Sequence, residues 1–271
     1  MNVFEKFLMS LDATMETPTP LGTFHLVTLA LIILCTTLLC VFLRNVSDKR
    51  FRTVILLFWI ALLVFELHKQ ITSSLQTEDG TAKWAYVWSH FPFQFCDMPF
   101  YLFPLVIFLK DGKIRDAAMA FLASYTLFAG LIVMICPETV FYYSVVGNVH
   151  TMFHHSTQIV LGIYIAVYNR KKFTIKTFLY SIPLFVAVVA IAQILNVIVH
   201  NYVTEDYFNL FYISPYFHRS YPWVGAIGEK YHWSVITFGY IGGVTVLAFI
   251  IYSLQIGIFR LCCGKKREPN A

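Results

Sequence analysis

The sequence predicts an all-α bundle of about seven transmembrane helices, with the amino terminus outside and the carboxyl terminus cytoplasmic. Three observations carry that expectation. Of the 271 residues, 58% are hydrophobic and only 13% are charged, against roughly 25% charged in soluble domains, so the chain lacks the residues to build a water-facing surface. Apolar runs of membrane-crossing length recur from end to end, because about 20 apolar helical residues are needed to satisfy the backbone inside hydrocarbon. The basic residues, finally, gather in alternate connections.

The seven runs extend from Leu21 to Leu43, Thr53 to Ser73, Phe91 to Leu109, Ala117 to Ile135, Asn148 to Tyr168, Phe178 to Val199 and Trp233 to Phe259. The second carries Glu66, His68 and Lys69, and the third carries Pro92, Pro99 and Pro104. Fifteen of the 20 lysines and arginines fall in the first, third and fifth connections and the tail. Cytoplasmic connections retain such an excess, and only an odd number of spans puts those four stretches on one side. The organisation is therefore an extracytoplasmic segment at residues 1–20, one membrane domain at 21–260 and a basic cytoplasmic tail at 261–271. The net charge of +5 belongs to the basic connections, where it holds anionic headgroups, so no nucleic-acid partner is expected. Six cysteines at positions 35, 40, 96, 136, 262 and 263 show no zinc-finger or redox spacing. Cys262 and Cys263, beside Lys265, Lys266 and Arg267, suit either acylation or a plain helix end.

With that topology, the intramembrane polar residues converge on the outer half. Glu66, Lys69 and Gln70 close the second helix; Gln94, Cys96 and Asp97 open the third; His150, His154, His155 and Gln158 open the fifth; Gln193, Asn196 and His200 close the sixth. Spacings of three and four put Glu66 with Lys69 or Gln70, and His150 with His154 and Gln158, on common helix faces. Ionisable groups in hydrocarbon turn inward, find partners and mark function. His25, His200 and His232 are expected as interfacial residues with wet tips. Gln193 and Asn196 equally suit interhelical hydrogen bonding. Pro99 cannot bond the carbonyl of Phe95, so a broken backbone and a free acceptor are expected next to Cys96.

Several short motifs also resemble a known family. Phe91-Pro92-Phe93-Gln94-Phe95-Cys96-Asp97-Met98 with Pro104, Cys136-Pro137-Glu138, Phe153-His154-His155-Ser156, and Ser214-Pro215 with Tyr221-Pro222-Trp223 resemble, in order and spacing, the YwaF-like integral membrane family. The resemblance implies, from the animal branch of that family, a cysteine acyltransferase that moves fatty acyl groups onto ether phospholipids through an acyl-cysteine. It implies Cys96 as nucleophile and His155 as its partner, with His154 adjacent. Ser156 stands where bacterial members have glycine.

The expected function is a membrane-embedded acyltransferase or acyl hydrolase acting on lipid esters through a Cys96 thioester. A histidine, His155 or His154, serves as base. Glu66, Asp97, Gln94, Gln158 and Asn196 support the pocket, and Phe93, Phe95, Phe100 and Tyr101 line an acyl groove or simply pack. Membrane lipids are the expected partners, and no cofactor or metal is expected. Two other readings stay open: a metal-dependent membrane hydrolase, since His, Cys, Asp and Glu are also the zinc ligand set, and a transporter or receptor with a polar pocket near the extracytoplasmic leaflet.

Overall fold

The computed structural model describes residues 3–10, 13–78, 81–217 and 231–263. The Tyr221-Pro222-Trp223 motif and residues 264–271 of the basic tail lie outside them. The helices are α1 (Val3–Met9), α2 (Thr23–Phe42), α3 (Asp48–Ser74), α4 (Met98–Phe108), α5 (Lys113–Ile135), α6 (Val145–Tyr168), α7 (Ile175–Tyr202) and α8 (Trp233–Cys263). A two-stranded antiparallel hairpin, β1 (Leu75–Glu78) and β2 (Thr81–Trp84), follows α3 and adds the one sheet among the described residues.

Side-chain caps set the helix starts. Ser47 accepts from the Arg50 amide ahead of α3, Ser144 from the Gly147 amide ahead of α6, and Thr174 forms a capping box with Thr177 ahead of α7. Each satisfies amides that the first turn leaves without carbonyl partners.

The chain is an all-α polytopic membrane protein. Five helices, α2, α3, α5, α7 and α8, are long and apolar enough to cross a bilayer. The expected third and fifth spans fall short in different ways. α4 has only 11 residues, because Pro99 opens it: proline tolerates the first helical turn, where its missing N–H has no carbonyl to meet. Residues Phe91 to Asp97, expected as helix, instead form an irregular stretch ending in a 3-10 turn over Phe95–Asp97. α6 has the length, but its three histidines, Gln158 and Asn148 lower its hydropathy.

α6 can carry those groups because it is the central helix. It packs against α2, α3 and α5, and 15 of its 24 residues are buried. α5 is enclosed likewise, with 72% of its apolar stretch buried against 17% in α2 and in α8, whose side chains face outward. Close approach in the centre depends on two glycines. A Cβ on Gly162 of α6 would stand 2.9 Å from Leu127 Cβ and 3.1 Å from the Leu122 carbonyl oxygen, and one on Gly130 of α5 would stand 2.9 Å from the His155 carbonyl oxygen. At this seam α5 widens into a π-helical turn over Leu122–Thr126, a local feature frequent at functional sites. Gln255 of α8 donates to the Ala123 carbonyl there, at 3.0 Å.

Backbone groups freed by proline and by helix ends also find side-chain partners. Pro104, inside α4, has no N–H for the Phe100 carbonyl, and the Trp59 indole of α3 fills that place at 2.9 Å. Arg52 of α3 donates to the carbonyls of Ile107 and Leu109 at the end of α4.

Adding bulk at the α5–α6 seam therefore strains the bundle. Gly162→Val is expected to cost about 1–3 kcal/mol, read as a lower melting temperature of the detergent-solubilised protein. The same change at Gly243, whose Cβ would meet nothing within 4 Å, is the control.

Candidate functional site

The site is built on the inward face of α6. One helical row presents His150, His154 and Gln158, all less than a tenth exposed. Buried polar groups in such a place need partners inside the protein, and two neighbouring elements supply them.

The first is α3. Glu66 accepts from Lys69 at 2.8 Å and from Gln70 at 2.7 Å on its own helix, and its other oxygen lies 3.0 Å from His150 Nε2 of α6. Gln70 also donates to the His90 carbonyl at 2.6 Å, which ties the stretch before α4 to α3. The sequence had placed Glu66, Lys69 and Gln70 on one face, and they are so arranged. It had not identified His150 as the partner of Glu66, although the spacing of four from His154 was the available signal.

The second is the 3-10 turn that precedes α4. Its backbone is fixed by Asp97, whose Oδ2 accepts from the Gln94 amide at 2.7 Å. The Cys96 carbonyl points at α6 and lies 2.8 Å from both His154 Nε2 and Gln158 Nε2. This locates the free acceptor that the proline pattern predicted, with a correction: the carbonyl bound by α6 is that of Cys96, and the break is a turn ahead of the helix rather than a kink within it. Asp97 Oδ1 lies 3.7 Å from His154 Nε2 and 3.9 Å from Cys96 Sγ. The sulfur, a carboxylate oxygen of Asp97 and a ring nitrogen of His154 all lie within 4.8 Å of one another. Cys96 keeps partial exposure, whereas His154 and Asp97 are buried.

The two adjacent histidines have different surroundings. His154, whose Nε2 meets the Cys96 carbonyl, keeps a buried Nδ1 with no partner among the described residues. His155 uses Nδ1 on the Thr151 carbonyl of its own helix, at 2.8 Å. The rings of His150 and His155 flank that of His154, with centroids at 5.6 and 5.3 Å.

Gln94 and Asn196, expected as pocket residues, hold a loop. Gln94 donates to the Asn209 carbonyl and accepts from the Phe211 amide; Asn196 of α7 donates to the Leu210 carbonyl and accepts from the Leu210 amide; Asn209 accepts from the Ser214 amide. The loop needs fastening because Phe211 and Tyr212 have φ of 54° and 55°, a left-handed conformation that costs a non-glycine residue of order 1–3 kcal/mol. Phe93 and Phe95 both pack on Phe211, and Phe95 also meets Phe185 and Tyr240. These rings are packing rather than an open groove, while the Phe100 ring lies 5.3 Å from that of His154. His25 departs from the expected wet tip: it is buried, and its Nδ1 accepts from the Leu21 amide at 3.1 Å. His200 stacks on Tyr216, with centroids 3.8 Å apart.

Asn196→Ala leaves the amide and carbonyl of buried Leu210 without these partners. A loss of about 1–3 kcal/mol is expected, measured as a fall in melting temperature, and limited proteolysis should then cut within residues 204–217.

The geometry joins residues from four separate parts of the chain, all inside residues 20–255. Searches of curated proteins and of solved structures give no match. The TMEM164 family model matches residues 20–255, which covers α2 to α7, most of α8 and the whole cluster. The chain is an integral membrane protein that belongs to the TMEM164 family.

Proposed function

We propose that this protein is a membrane-embedded acyltransferase, or acyl hydrolase, that acts on lipid esters through a thioester on Cys96. One observation carries the proposal: a half-buried cysteine whose sulfur lies within 4.8 Å of both a buried carboxylate and a buried imidazole from another helix. A thiol becomes a nucleophile when an adjacent base takes its proton. The resemblance of the motifs around Cys96 and His154 to those of the YwaF-like family supports the same chemistry.

The reaction follows from the contacts. The thiol proton passes to the Asp97–His154 pair, and the sulfur attacks the carbonyl carbon of a lipid ester. The carbon–oxygen bond breaks, and the departing alcohol of the lysolipid takes the proton back. A hydroxyl of a second lipid, or water, then attacks the thioester carbonyl, gives its own proton to the pair and restores the thiol. His154 is favoured over His155 because it meets both Asp97 and the Cys96 turn, whereas the Nδ1 of His155 is committed to its own helix. The Nε2 of His154 holds the proton given to the Cys96 carbonyl, so Asp97 Oδ1, 3.9 Å from Sγ and 3.7 Å from that nitrogen, is the first acceptor of the thiol proton and the imidazole steadies it. Glu66 steadies the row through His150, and Gln158 fixes the Cys96 carbonyl.

In this reading α4 with its preceding turn and α6 complete seven crossings, the amino terminus lies outside, and the cluster lies near the extracytoplasmic leaflet. The burial of α6 among other helices supports the count, since a helix shielded from lipid needs less hydropathy. A metal-dependent hydrolase is the second reading, favoured by the same thiol, carboxylate and imidazole, because three such ligands plus water suit catalytic zinc.

Intact-protein mass spectrometry after incubation with phospholipid tests the chemistry. A hydroxylamine-labile acyl mass is expected, absent in Cys96→Ser and reduced roughly 100-fold or more in rate in His154→Ala, with a smaller effect in His155→Ala. Active protein without such an adduct rejects the thioester. About one zinc per chain, lost together with activity in Cys96→Ser and His154→Ala, would select the hydrolase.

Topology has a separate test. An Asn-Ser-Thr acceptor inserted between Thr204 and Glu205 should be glycosylated in microsomes, while the native Asn45-Val46-Ser47 sequon stays unmodified. The reverse pattern would invert the orientation.

A further inference from the structure

At the end of the bundle away from Cys96, the α2–α3, α4–α5 and α6–α7 connections meet around a cavity of about 310 Å³. Five basic side chains and two carboxylates line it. The carboxylates are already engaged: buried Arg115 binds Asp111 and, at 2.6 Å, Asp48, and Lys172 reaches Asp111 at 3.0 Å. The other three cations have no carboxylate partner among the described residues. Arg170 donates only to neutral acceptors, the carbonyls of Arg44 and Val167 and the side chain of Asn45. Exposed Arg44 and Lys171 have no side-chain partner among the described residues.

Three uncompensated cations around a concave site, two of them guanidinium groups with forked donors, match the oxygens of a phosphate. The surroundings point to a lipid as its bearer. A neighbouring cavity, of about 470 Å³, is also lined by Asp48 and, beside Lys49, Arg52 and Lys110, has an apolar wall of Leu56, Ile107 and Phe108. Phe108, at the end of α4, is 66% exposed. Basic pockets at the ends of membrane helices suit anionic headgroups for this reason: charge meets phosphate while the chains stay in hydrocarbon.

We propose that this cavity binds the phosphate of an anionic membrane lipid, with its acyl chains lying over Leu56 and Phe108. The site is separate from the Cys96 cluster and stands whether or not the thioester chemistry does.

Native mass spectrometry of the full chain in an uncharged detergent, titrated with dioctanoyl phosphatidic acid, tests it. Saturable binding of one lipid is expected, weakened roughly 30-fold in the Arg44→Gln, Lys171→Gln double variant. Both positions are exposed and without side-chain partners, so the fold should be kept. The Lys113→Gln, Lys176→Gln double variant removes the same charge from outside both cavities and should bind as the wild type does. Inorganic phosphate at equal concentration should not displace the lipid. Absence of saturable binding, equal weakening in both double variants, or displacement by phosphate would each overturn the proposal, the last by assigning the cavity to a soluble phosphate.

Discussion

The structure depends on the need to find protein partners for the polar row on α6. The Nε2 atoms of His150, His154 and Gln158 lie in the centre of a bundle where water cannot serve them, and each left unmet would cost about 1–3 kcal/mol. Glu66 of α3 meets the first, and the Cys96 carbonyl meets the other two. These contacts fix α3 and the turn before α4 to the same face of α6. The juxtaposition of Cys96 Sγ, Asp97 and His154 is thus a geometric consequence of satisfying a row of buried donors. Glycine at 130 and 162 helps by letting α5 close on α6 beside the row, where a Cβ on Gly130 would stand 3.0 Å from Gln158 Cβ.

A regular helix could not have offered that carbonyl so readily. Within an α-helix each carbonyl is occupied by the amide four residues on, and the side chain at Cys96 would be fixed by helical geometry. By opening the helix at Pro99, the sequence leaves Phe95–Asp97 as a turn whose backbone can point sideways. Such a turn lacks the support of helix hydrogen bonds, and Gln94 supplies it by binding the strained loop at Phe211, which Asn196 also holds. Two residues that look like pocket lining in the sequence thereby act one step away, on the scaffold that positions the thiol.

How much of this was legible follows the same physics. Hydropathy located the five lipid-facing or long apolar helices closely, because contact with hydrocarbon leaves a direct compositional trace. The residues of the cluster were also legible: Glu66, Cys96, Asp97, His154 and Gln158 stand out where charge and hydrogen-bonding groups are otherwise absent. Their connectivity was not. Periodicity aligns His150 with His154 but cannot say which faces α3, and it cannot rank His154 against His155, which differ by one step around the helix. The prolines signalled an interruption at the right place, yet whether Pro99 kinks or starts a helix depends on what the preceding residues pack against. The cavity at the basic end was hidden for another reason: charge counts sum over loops, whereas its cations matter through the carboxylates they do not meet.

The two ends of the bundle solve opposite problems with charge. At the Cys96 end, buried Glu66 joins half-buried Lys69 to buried His150, so that the ionisable groups form a continuous matched series. At the basic end, Arg115 is buried beneath the exposed side chains of its partners Asp48 and Asp111, and cations without a carboxylate among the described residues stand beside them at the rim. A matched buried network holds geometry and gains little from solvent ions, because its charges are already spent on one another. An unmatched rim gains from any anion that arrives and is screened by salt. Raised ionic strength should therefore act on the two ends unequally, weakening association at the rim while leaving the His154–Asp97–Cys96 arrangement in place.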